Sequence, residues 1–211
     1  MKSELKKRIL TSAIMIPIAF FFIIKGSIYF IFFLTFFFIA ATFEWVNLIK
    51  KNNLIKFIGI IFLLISFFSA FLLREIFGLD FFIFILLICI FTDMGGYIFG
   101  KIIKGPKLIK ISPNKTFAGA VGSFLCSLFV GMIYIKFLNN EFILNYPMQI
   151  IFAMLIISFI SQIGDLVISY FKRKAKKKDT GNIFPGHGGI LDRLDGLIFV
   201  LPIVYIFTLY Y

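Results

Sequence analysis

The chain has 211 residues, of which 61% are hydrophobic and 32 are phenylalanines, and its mean hydropathy is +1.02. A soluble domain of this size has too little interior to bury so much apolar surface, so the composition excludes a water-soluble fold and predicts lipid as the solvent. The net charge of +12 requires no nucleic-acid partner, because no aromatic and basic surface or soluble module accompanies it. Cys89 and Cys126 both lie in apolar runs, which predicts buried thiols and no disulfide framework.

Seven apolar runs are long enough, or nearly so, to cross a hydrocarbon core of about 30 Å. They lie at about 9–24, 27–43, 57–73, 76–92, 117–135, 149–168 and 196–211. The start of the chain imitates a signal peptide but has no cleavage pattern, so we predict a retained first helix. Strands are not expected, because lipid admits only helices or closed barrels and these runs do not alternate in polarity. The sequence therefore predicts an all-α polytopic membrane protein with about seven transmembrane helices.

The basic residues indicate the orientation of this bundle. If the N-terminus is cytoplasmic, all of the 22 Lys and Arg residues except Lys25, Arg74 and Lys136 lie on the cytoplasmic side. Lysine and arginine accumulate in the cytoplasmic loops of membrane proteins. The sequence therefore predicts a cytoplasmic N-terminus and an outside C-terminus, with the long polar connections 93–116 and 169–195 on the cytoplasmic face.

A polar stripe runs along the sixth span, at helical spacing. Its members are Ser158, Ser161, Gln162, Asp165 and Ser169. An aspartate exposed to lipid there would cost several kcal/mol, so we expect the stripe to face the bundle interior or a water-filled cavity. Asp165 is then either part of a functional site or the partner of a lysine in the next loop.

Two further acids, Asp192 and Asp195, are three residues apart and would share one face of a helix. Together with Asp165 they place three carboxylates near one membrane surface, and carboxylate oxygens are the ligands that Mg²⁺ prefers. The alternative is that Asp192 and Asp195 only oppose the dipole of a helix N-terminus. Spacing alone does not separate the two interpretations.

The polar connections contain further candidates for phosphate binding. In the segment PGHGG, glycines would let backbone N–H groups converge on an oxyanion, or would simply turn the chain. His187 is a candidate phosphate donor or acid, or an ordinary loop residue. The basic run 172–179 suits nucleotide or lipid phosphates, or anionic headgroups in general. The fifth span carries a small-residue face suited to close helix packing, made of Gly119, Gly122, Ser123, Cys126 and Ser127.

The segment Ser169 to Asp195, SYFKRKAKKKDTGNIFPGHGGILDRLD, resembles the signature of the phosphatidate cytidylyltransferases, the CDP-diacylglycerol synthases. That signature has Ser, a gap, Lys-Arg, four residues and Lys-Asp, followed by Pro-x-His-Gly-Gly and Asp-Arg-x-Asp, and every fixed position is present. Weaker similarity makes 92–211 the catalytic part of a single membrane domain, whereas 1–91 resembles the family only in being spans. Phe117 and Ala118 depart from the Trp and the Glu or Gln expected after SPNKT, and family members are often longer.

The resemblance implies transfer of the cytidylyl group of CTP to phosphatidic acid in the inner membrane of a bacterium, with a cytoplasmic active site. It further implies Mg²⁺ held by Asp165 and Asp192, room for a second cation such as K⁺, and a homodimer. The catalytic residues that it implies are Asp165, Asp192, Asp195, Lys178 and His187. The substrate-binding residues that it implies are Lys172, Arg173, Asp179, Gly186, Gly188, Gly189, Arg193, Ser112, Asn114, Lys115 and Thr116.

Other classes of membrane protein fit less well. A CDP-alcohol phosphotransferase would carry the pattern D-G-x2-A-R-x8-G-x3-D-x3-D, which is absent. A transporter would place charges at the midplane of two related halves, whereas here the acids lie near one surface. A non-catalytic relative that holds anionic lipid, and an enzyme acting on another lipid phosphate, both stay open.

Overall fold

The computed structural model describes residues 2–109, 112–138, 147–183 and 188–210, with the backbone alone for 2–10, 109, 112–114 and 210. Its helices are α1 (Lys2–Lys25), α2 (Ser27–Leu48), α3 (Asn53–Ile76), α4 (Leu79–Ile102), α5 (Phe117–Leu138), α6 (Pro147–Lys174), α7 (Leu191–Leu194) and α8 (Leu197–Tyr210). Each predicted apolar run coincides with one helix, although α1 begins seven residues before its run and α4 ends ten residues after its run. The chain divides into two compact units, residues 1–79 with 171–211, and residues 80–170.

Helices α2 to α6 are each long and apolar enough to cross a membrane. Two shorter apolar helical stretches, Thr11–Lys25 and Leu197–Leu209, accompany them. Large apolar side chains project outward along these helices, among them Phe32 and Phe129, which are 66% and 68% exposed. Such surfaces are stable only against lipid, so the predicted polytopic membrane fold is confirmed in outline.

The expectation that the chain has no strands is wrong for one connection. Strands β1 (Lys107–Ile109) and β2 (Ser112–Thr116) form an antiparallel hairpin, in which Lys107 pairs with Thr116. The argument from lipid applies only to the spans, and this hairpin lies between α4 and α5. Both polar connections also begin as helix, since α4 continues to Ile102 and α6 to Lys174. The hydropathy pattern shows where the apolar side chains end, whereas the backbone hydrogen bonds of each helix continue beyond that point.

In the first unit, α3 packs against both α2 and α8. Leu63 of α3 and Val200 of α8 are buried in this core. Pro202 interrupts α8 and has no N–H to donate to the carbonyl of Ile198, one turn earlier. The Ser66 hydroxyl of α3 lies 2.7 Å from the Ile198 oxygen and offers it a donor, in competition with the Phe62 carbonyl of its own helix at 2.8 Å. A proline is therefore accommodated in an apolar helix by a hydroxyl from its neighbour.

The turn between α1 and α2 is held by the end of α3. The Arg74 guanidinium donates to the carbonyl oxygens of Ile23 and Ile24, at 3.0 and 2.9 Å. Glu75 accepts from the N–H of Ser27 at 2.8 Å. These side chains satisfy backbone groups that a helix end leaves without intrahelical partners. Gly26 is required at the turn, because a Cβ there would lie 2.4 Å from the guanidinium carbon of Arg74.

In the second unit, small residues bring α4 and α5 into close contact. A Cβ on Gly95 would lie 2.4 Å from the carbonyl oxygen of Gly122, so the two backbones meet where neither has a side chain. Ser123 donates to the Thr92 carbonyl at 2.7 Å, and Thr92 donates to the Ser158 hydroxyl of α6 at 2.9 Å. The small-residue face predicted for the fifth span is confirmed as a packing surface.

Candidate functional site

The signature segment is organised around the carboxylate of Asp192. The ammonium of Lys172 lies 2.8 Å from its Oδ1. Its Oδ2 accepts from the N–H groups of Thr180 and Gly189 at 2.8 and 3.0 Å, and lies 3.0 Å from the Thr180 hydroxyl, whose one proton it shares with Glu44. Only 12% of the Lys172 side chain and 7% of the Asp192 side chain are exposed. The sequence assigned these two residues to separate roles, and the structure joins them in one ion pair.

The end of α6 sets the direction in which the signature segment leaves the helix. The N–H of Lys177 donates to the carbonyl of Lys172, and the N–H of Lys176 to that of Arg173, both at 2.9 Å. This pair of bonds is a Schellman motif, with Lys176 in the left-handed conformation that usually takes glycine, at φ 54°. Phe171 packs edge-on against the Trp45 ring, with the ring centroids 4.9 Å apart. Lys172 is thus fixed in the last turn of a capped helix.

The surroundings of Asp192 favour its charged form. Burial by itself would raise the pKa of this carboxyl, but the hydrogen bonds from Lys172, Thr180 and Gly189 and the charge of Lys172 hold the pKa below its ordinary value. A carboxylate that accepts several hydrogen bonds commonly has a lowered pKa. The site therefore contains a stable negative charge beside a stable positive one.

Sequence reasoning missed two residues of this cluster, Thr180, and Glu44 of α2, and Glu44 is buried with 2% of its surface exposed. Its carboxylate accepts from the Thr180 hydroxyl at 2.9 Å and from the N–H groups of Ile190 and Leu191 at 3.0 and 2.9 Å. An acid at the end of an apolar run was the available signal, since the predicted second span stops at residue 43. The N–H groups of residues 189–191 do converge on oxyanions, and these oxyanions are the carboxylates of Glu44 and Asp192.

The other signature residues have different surroundings. The side chains of Arg173, Lys178, Asp179 and Arg193 are exposed. Asp195 is buried, and its Oδ1 accepts from the N–H of the next residue at 3.0 Å. Gly188 is in the left-handed region at φ 84°, and Gly189 is buried. The predicted site residues Gly186 and His187 lie outside the described residues.

The polar stripe of α6 lines a cavity of about 210 Å³ in the second unit. Gln162 and Asp165 face this cavity, as do Asp93, Lys115 and Thr116. The side chains of Ser158, Ser161 and Ser169 are buried. Two members of the stripe therefore line a cavity and three are buried, as expected for a stripe that faces the bundle interior or a cavity.

Asp165 is paired with a lysine that precedes it in the chain. The Lys115 ammonium of β2 forms an ion pair with Oδ2 of Asp165, and Ser169 donates to Oδ1 at 3.3 Å. The partner thus comes from the hairpin before α5 and not from the loop after α6. Thr116 accepts from the N–H of Gly119 at 3.1 Å and so caps the start of α5. The side chains of Ser112 and Asn114, both predicted to bind substrate, lie outside the described residues.

The oxygen donors of this chain suit a hard cation such as Mg²⁺, although each carboxylate is already engaged. Asp93 and Asp165 line the same cavity, and a cation at Asp165 would have to replace Lys115. Asp192 accepts from Lys172 on Oδ1 and from the N–H groups of Thr180 and Gly189 on Oδ2, so a cation on Oδ1 would have to replace Lys172. Among the residues described, no three His, Cys, Asp or Glu side chains gather as a metal cage. Magnesium is usually held by one or two carboxylates with substrate phosphates, a mode that these residues fit.

Comparison with known proteins identifies the family. The sequence matches the model of the Cytidylyltransferase family over residues 52–211, and the chain belongs to that family. Similar proteins include the phosphatidate cytidylyltransferases of Staphylococcus saprophyticus, 44% identical over 128 residues, and Staphylococcus aureus, 45% identical over 129 residues. Each match covers 60% of this chain and 48% of the relative, so the chain spans about half the length of the curated relatives it matches. The resemblance of the signature segment is confirmed.

Proposed function

We propose that this chain transfers the cytidylyl group of CTP to phosphatidic acid, giving CDP-diacylglycerol and pyrophosphate. The observation that carries the proposal is the ion pair between Lys172 and Asp192. It joins two fixed positions of the signature at the end of a membrane-spanning helix, where a water-soluble nucleotide can meet a lipid headgroup. The names of the similar staphylococcal proteins support the choice of substrates.

The proposed reaction needs charge stabilisation more than a strong base. A phosphate oxygen of phosphatidic acid forms a bond to the α-phosphorus of CTP, and the bond from that phosphorus to the bridging oxygen breaks, so that pyrophosphate leaves. The lipid phosphate is already anionic near neutral pH. The protein must therefore bring two polyanions together and offset the charge that develops on the leaving group.

The basic residues of the signature are assigned to the phosphates. Arg173 and Lys178 have exposed side chains, so they can reach a nucleotide that arrives from water. Lys172 is held by Asp192 and can exchange this partner for a phosphate oxygen. The carboxylate of Asp192 keeps its other donors from Thr180 and Gly189 when this exchange occurs.

Asp165 and Asp192 are assigned as the ligands of Mg²⁺, with room for a second cation such as K⁺. Bound magnesium would supply Lewis-acid stabilisation of charge on the α-phosphate and the leaving pyrophosphate. Lys115 and Lys172 form ion pairs with these two carboxylates, and each lysine would yield its carboxylate to the metal. A homodimer is part of the same proposal, on the strength of the family resemblance.

The orientation of the protein is the second part of the proposal. Seven spans with a cytoplasmic N-terminus, in the inner membrane of a bacterium, would put both polar connections on the side where CTP is found. Cysteines introduced at Lys110 and Lys177 should react with an impermeant reagent only from the cytoplasmic side. A cysteine introduced at Asn140 should react only from outside. Labelling of Lys110 and Asn140 from the same side contradicts the seven-span topology.

Purified protein incubated with labelled CTP, phosphatidic acid and Mg²⁺ should form a CDP-lipid. Asp165→Asn and Asp192→Asn should each lower turnover at least tenfold, the usual scale for disturbing a metal site. Asp80→Asn removes an exposed acid at the start of α4 and should leave turnover unchanged. Binding of phosphatidic acid without turnover would favour a non-catalytic relative, and turnover with a different lipid phosphate would revise the substrate. Near-normal activity of Asp192→Asn across Mg²⁺ concentrations would refute the metal assignment.

A further inference from the structure

Glu44 is the only acid in α2, and its carboxylate is almost completely removed from solvent. A buried carboxylate costs free energy unless hydrogen bonds or an opposite charge stabilise it. None of the ion pairs in the described part of the chain includes Glu44. Its charge is stabilised instead by neutral donors, and all three of them come from the signature segment.

These donors lie at the two ends of one stretch of chain. The Thr180 hydroxyl is 2.9 Å from Oε2 of Glu44, and the N–H of Leu191 is 2.9 Å from the same oxygen. The N–H of Ile190 lies 3.0 Å from Oε1. The two described ends of the loop 180–191 therefore contact a single carboxylate.

Two glycines of this loop lie directly against Glu44. A Cβ on Gly181 would be 2.3 Å from Oε1, and a Cβ on Gly189 would be 2.5 Å from Oε2. Real Cβ atoms do not approach other atoms so closely, so a side chain at either position would push the Glu44 carboxylate out of its hydrogen bonds, and at Gly189 also the Thr180 hydroxyl, 2.1 Å away. The contact with Glu44 thus gives a steric reason for Gly189 in the signature.

A chain of polar contacts links Glu44 to the candidate active site. Thr180 Oγ1 lies 2.9 Å from Oε2 of Glu44 and 3.0 Å from Oδ2 of Asp192. Asp192 in turn holds the ammonium of Lys172 at 2.8 Å. A displacement of Thr180 away from Glu44 would therefore move Asp192 relative to Lys172, which is held at the end of α6.

We propose that Glu44 is a positioning residue for cytidylyl transfer, which holds both described ends of the loop 180–191 and, through Thr180, orients Asp192 toward Lys172. The expected effect of Glu44 on kcat rests on the function proposed above, whereas its effect on the position of the loop does not. Glu44 precedes residues 52–211, the part that matches the family, so a residue outside the matched segment supports the signature inside it.

Glu44→Gln tests this role with little change in volume. In the wild type, backbone N–H groups donate to both carboxylate oxygens of Glu44. In either orientation, the NH₂ group of the glutamine therefore faces a backbone N–H, and that hydrogen bond is lost. We expect kcat per folded molecule to fall at least tenfold. Thr180→Val should have a similar effect, and Thr180→Ser, which keeps the hydroxyl, should restore turnover to within threefold of the wild type. The matched control is Glu75→Gln, which disturbs another hydrogen bond between a glutamate and a backbone N–H and should leave kcat unchanged.

Trypsin cleavage after Lys178 gives a second readout that needs no enzymatic activity. We expect the folded Glu44→Gln protein to be cleaved at least fivefold faster than the wild type, and the Glu75→Gln control to be cleaved at the wild-type rate. The proposal is overturned if the kcat and the cleavage rate of Glu44→Gln both stay within twofold of the wild type. It is also overturned if Glu44→Gln gives less folded protein but the kcat per folded molecule is unchanged. If the wild type forms no CDP-lipid, the proposed function fails and the cleavage rates alone decide the positioning role. If Glu44→Gln does not fold, the kcat and the cleavage rate of Thr180→Val test the proposal in its place.

Discussion

The ion pair between Lys172 and Asp192 can be broken from either side, and the structure gives the size of the effect. Removing one partner of a buried pair costs roughly 3–5 kcal/mol, because the other charge is left uncompensated. In Lys172→Met, Asp192 keeps its bonds from Thr180 and Gly189, so we expect the lower end of that range, about 3 kcal/mol. Asp192→Asn leaves the Lys172 ammonium beside a neutral amide, and we again expect about 3 kcal/mol.

The double variant separates the pair from its surroundings. Once Lys172 and Asp192 are both neutral, no buried charge lacks a partner, and the double variant should be about 2 kcal/mol more stable than the sum of the single effects predicts. The assay is the free energy of unfolding from an SDS titration in mixed micelles. Lys50→Met, which removes an exposed lysine between α2 and α3, should stay within about 0.5 kcal/mol of the wild type. A coupling below about 0.5 kcal/mol would show that the pair is not a stabilising unit.

Three further changes test other parts of the structure. Because the pKa of Asp192 is lowered in the folded protein, the wild type should be more stable than Asp192→Asn at all pH values above the ordinary carboxyl pKa of 3.8. This advantage should disappear as the pH falls through the folded-state pKa, and the same SDS titration at several pH values measures it. Ser66→Ala leaves a helix carbonyl without its donor and should cost about 1–3 kcal/mol, whereas Thr35→Ala, at an exposed hydroxyl bonded within its own helix, should cost little. Gly122→Ala puts a Cβ 2.3 Å from the Phe99 side chain and should lower the free energy of unfolding, measured by thermal or SDS unfolding, by about 1–3 kcal/mol. Gly100→Ala, whose Cβ would have its nearest atom at 3.3 Å, should be nearly neutral.

The sequence predicts the features of this protein that depend on neighbours along the chain. The spans follow from long apolar runs, the packing of Gly122 and Ser123 from helical spacing of small residues, and the burial of Ser158 from a polar stripe. The family follows from residues 169–195, where the pattern is dense and ungapped.

Features that depend on distant parts of the chain did not follow from the pattern. Glu44 contacts donors 136 to 147 residues away, and periodicity carries no information on such a pairing. The Lys115–Asp165 ion pair depends on a hairpin whose strands are too short to show alternation. The partner of Lys172 lies within the same signature. Because we interpreted the lysines as phosphate ligands and the aspartates as metal ligands, we did not predict that Lys172 and Asp192 form an ion pair.

The Arg74 contact bears on the order of events during synthesis. The carbonyls of Ile23 and Ile24 end the first helix, and their donor is translated 50 residues or more afterwards. At about 5–20 residues per second, the ribosome needs roughly 3–10 s to deliver it. During that interval the nascent hairpin of α1 and α2 must satisfy its turn with water or lipid headgroups at the membrane surface. The first two helices therefore acquire their final junction only when the third has been made, which makes α1 to α3 the smallest part of the chain in which that junction can be complete.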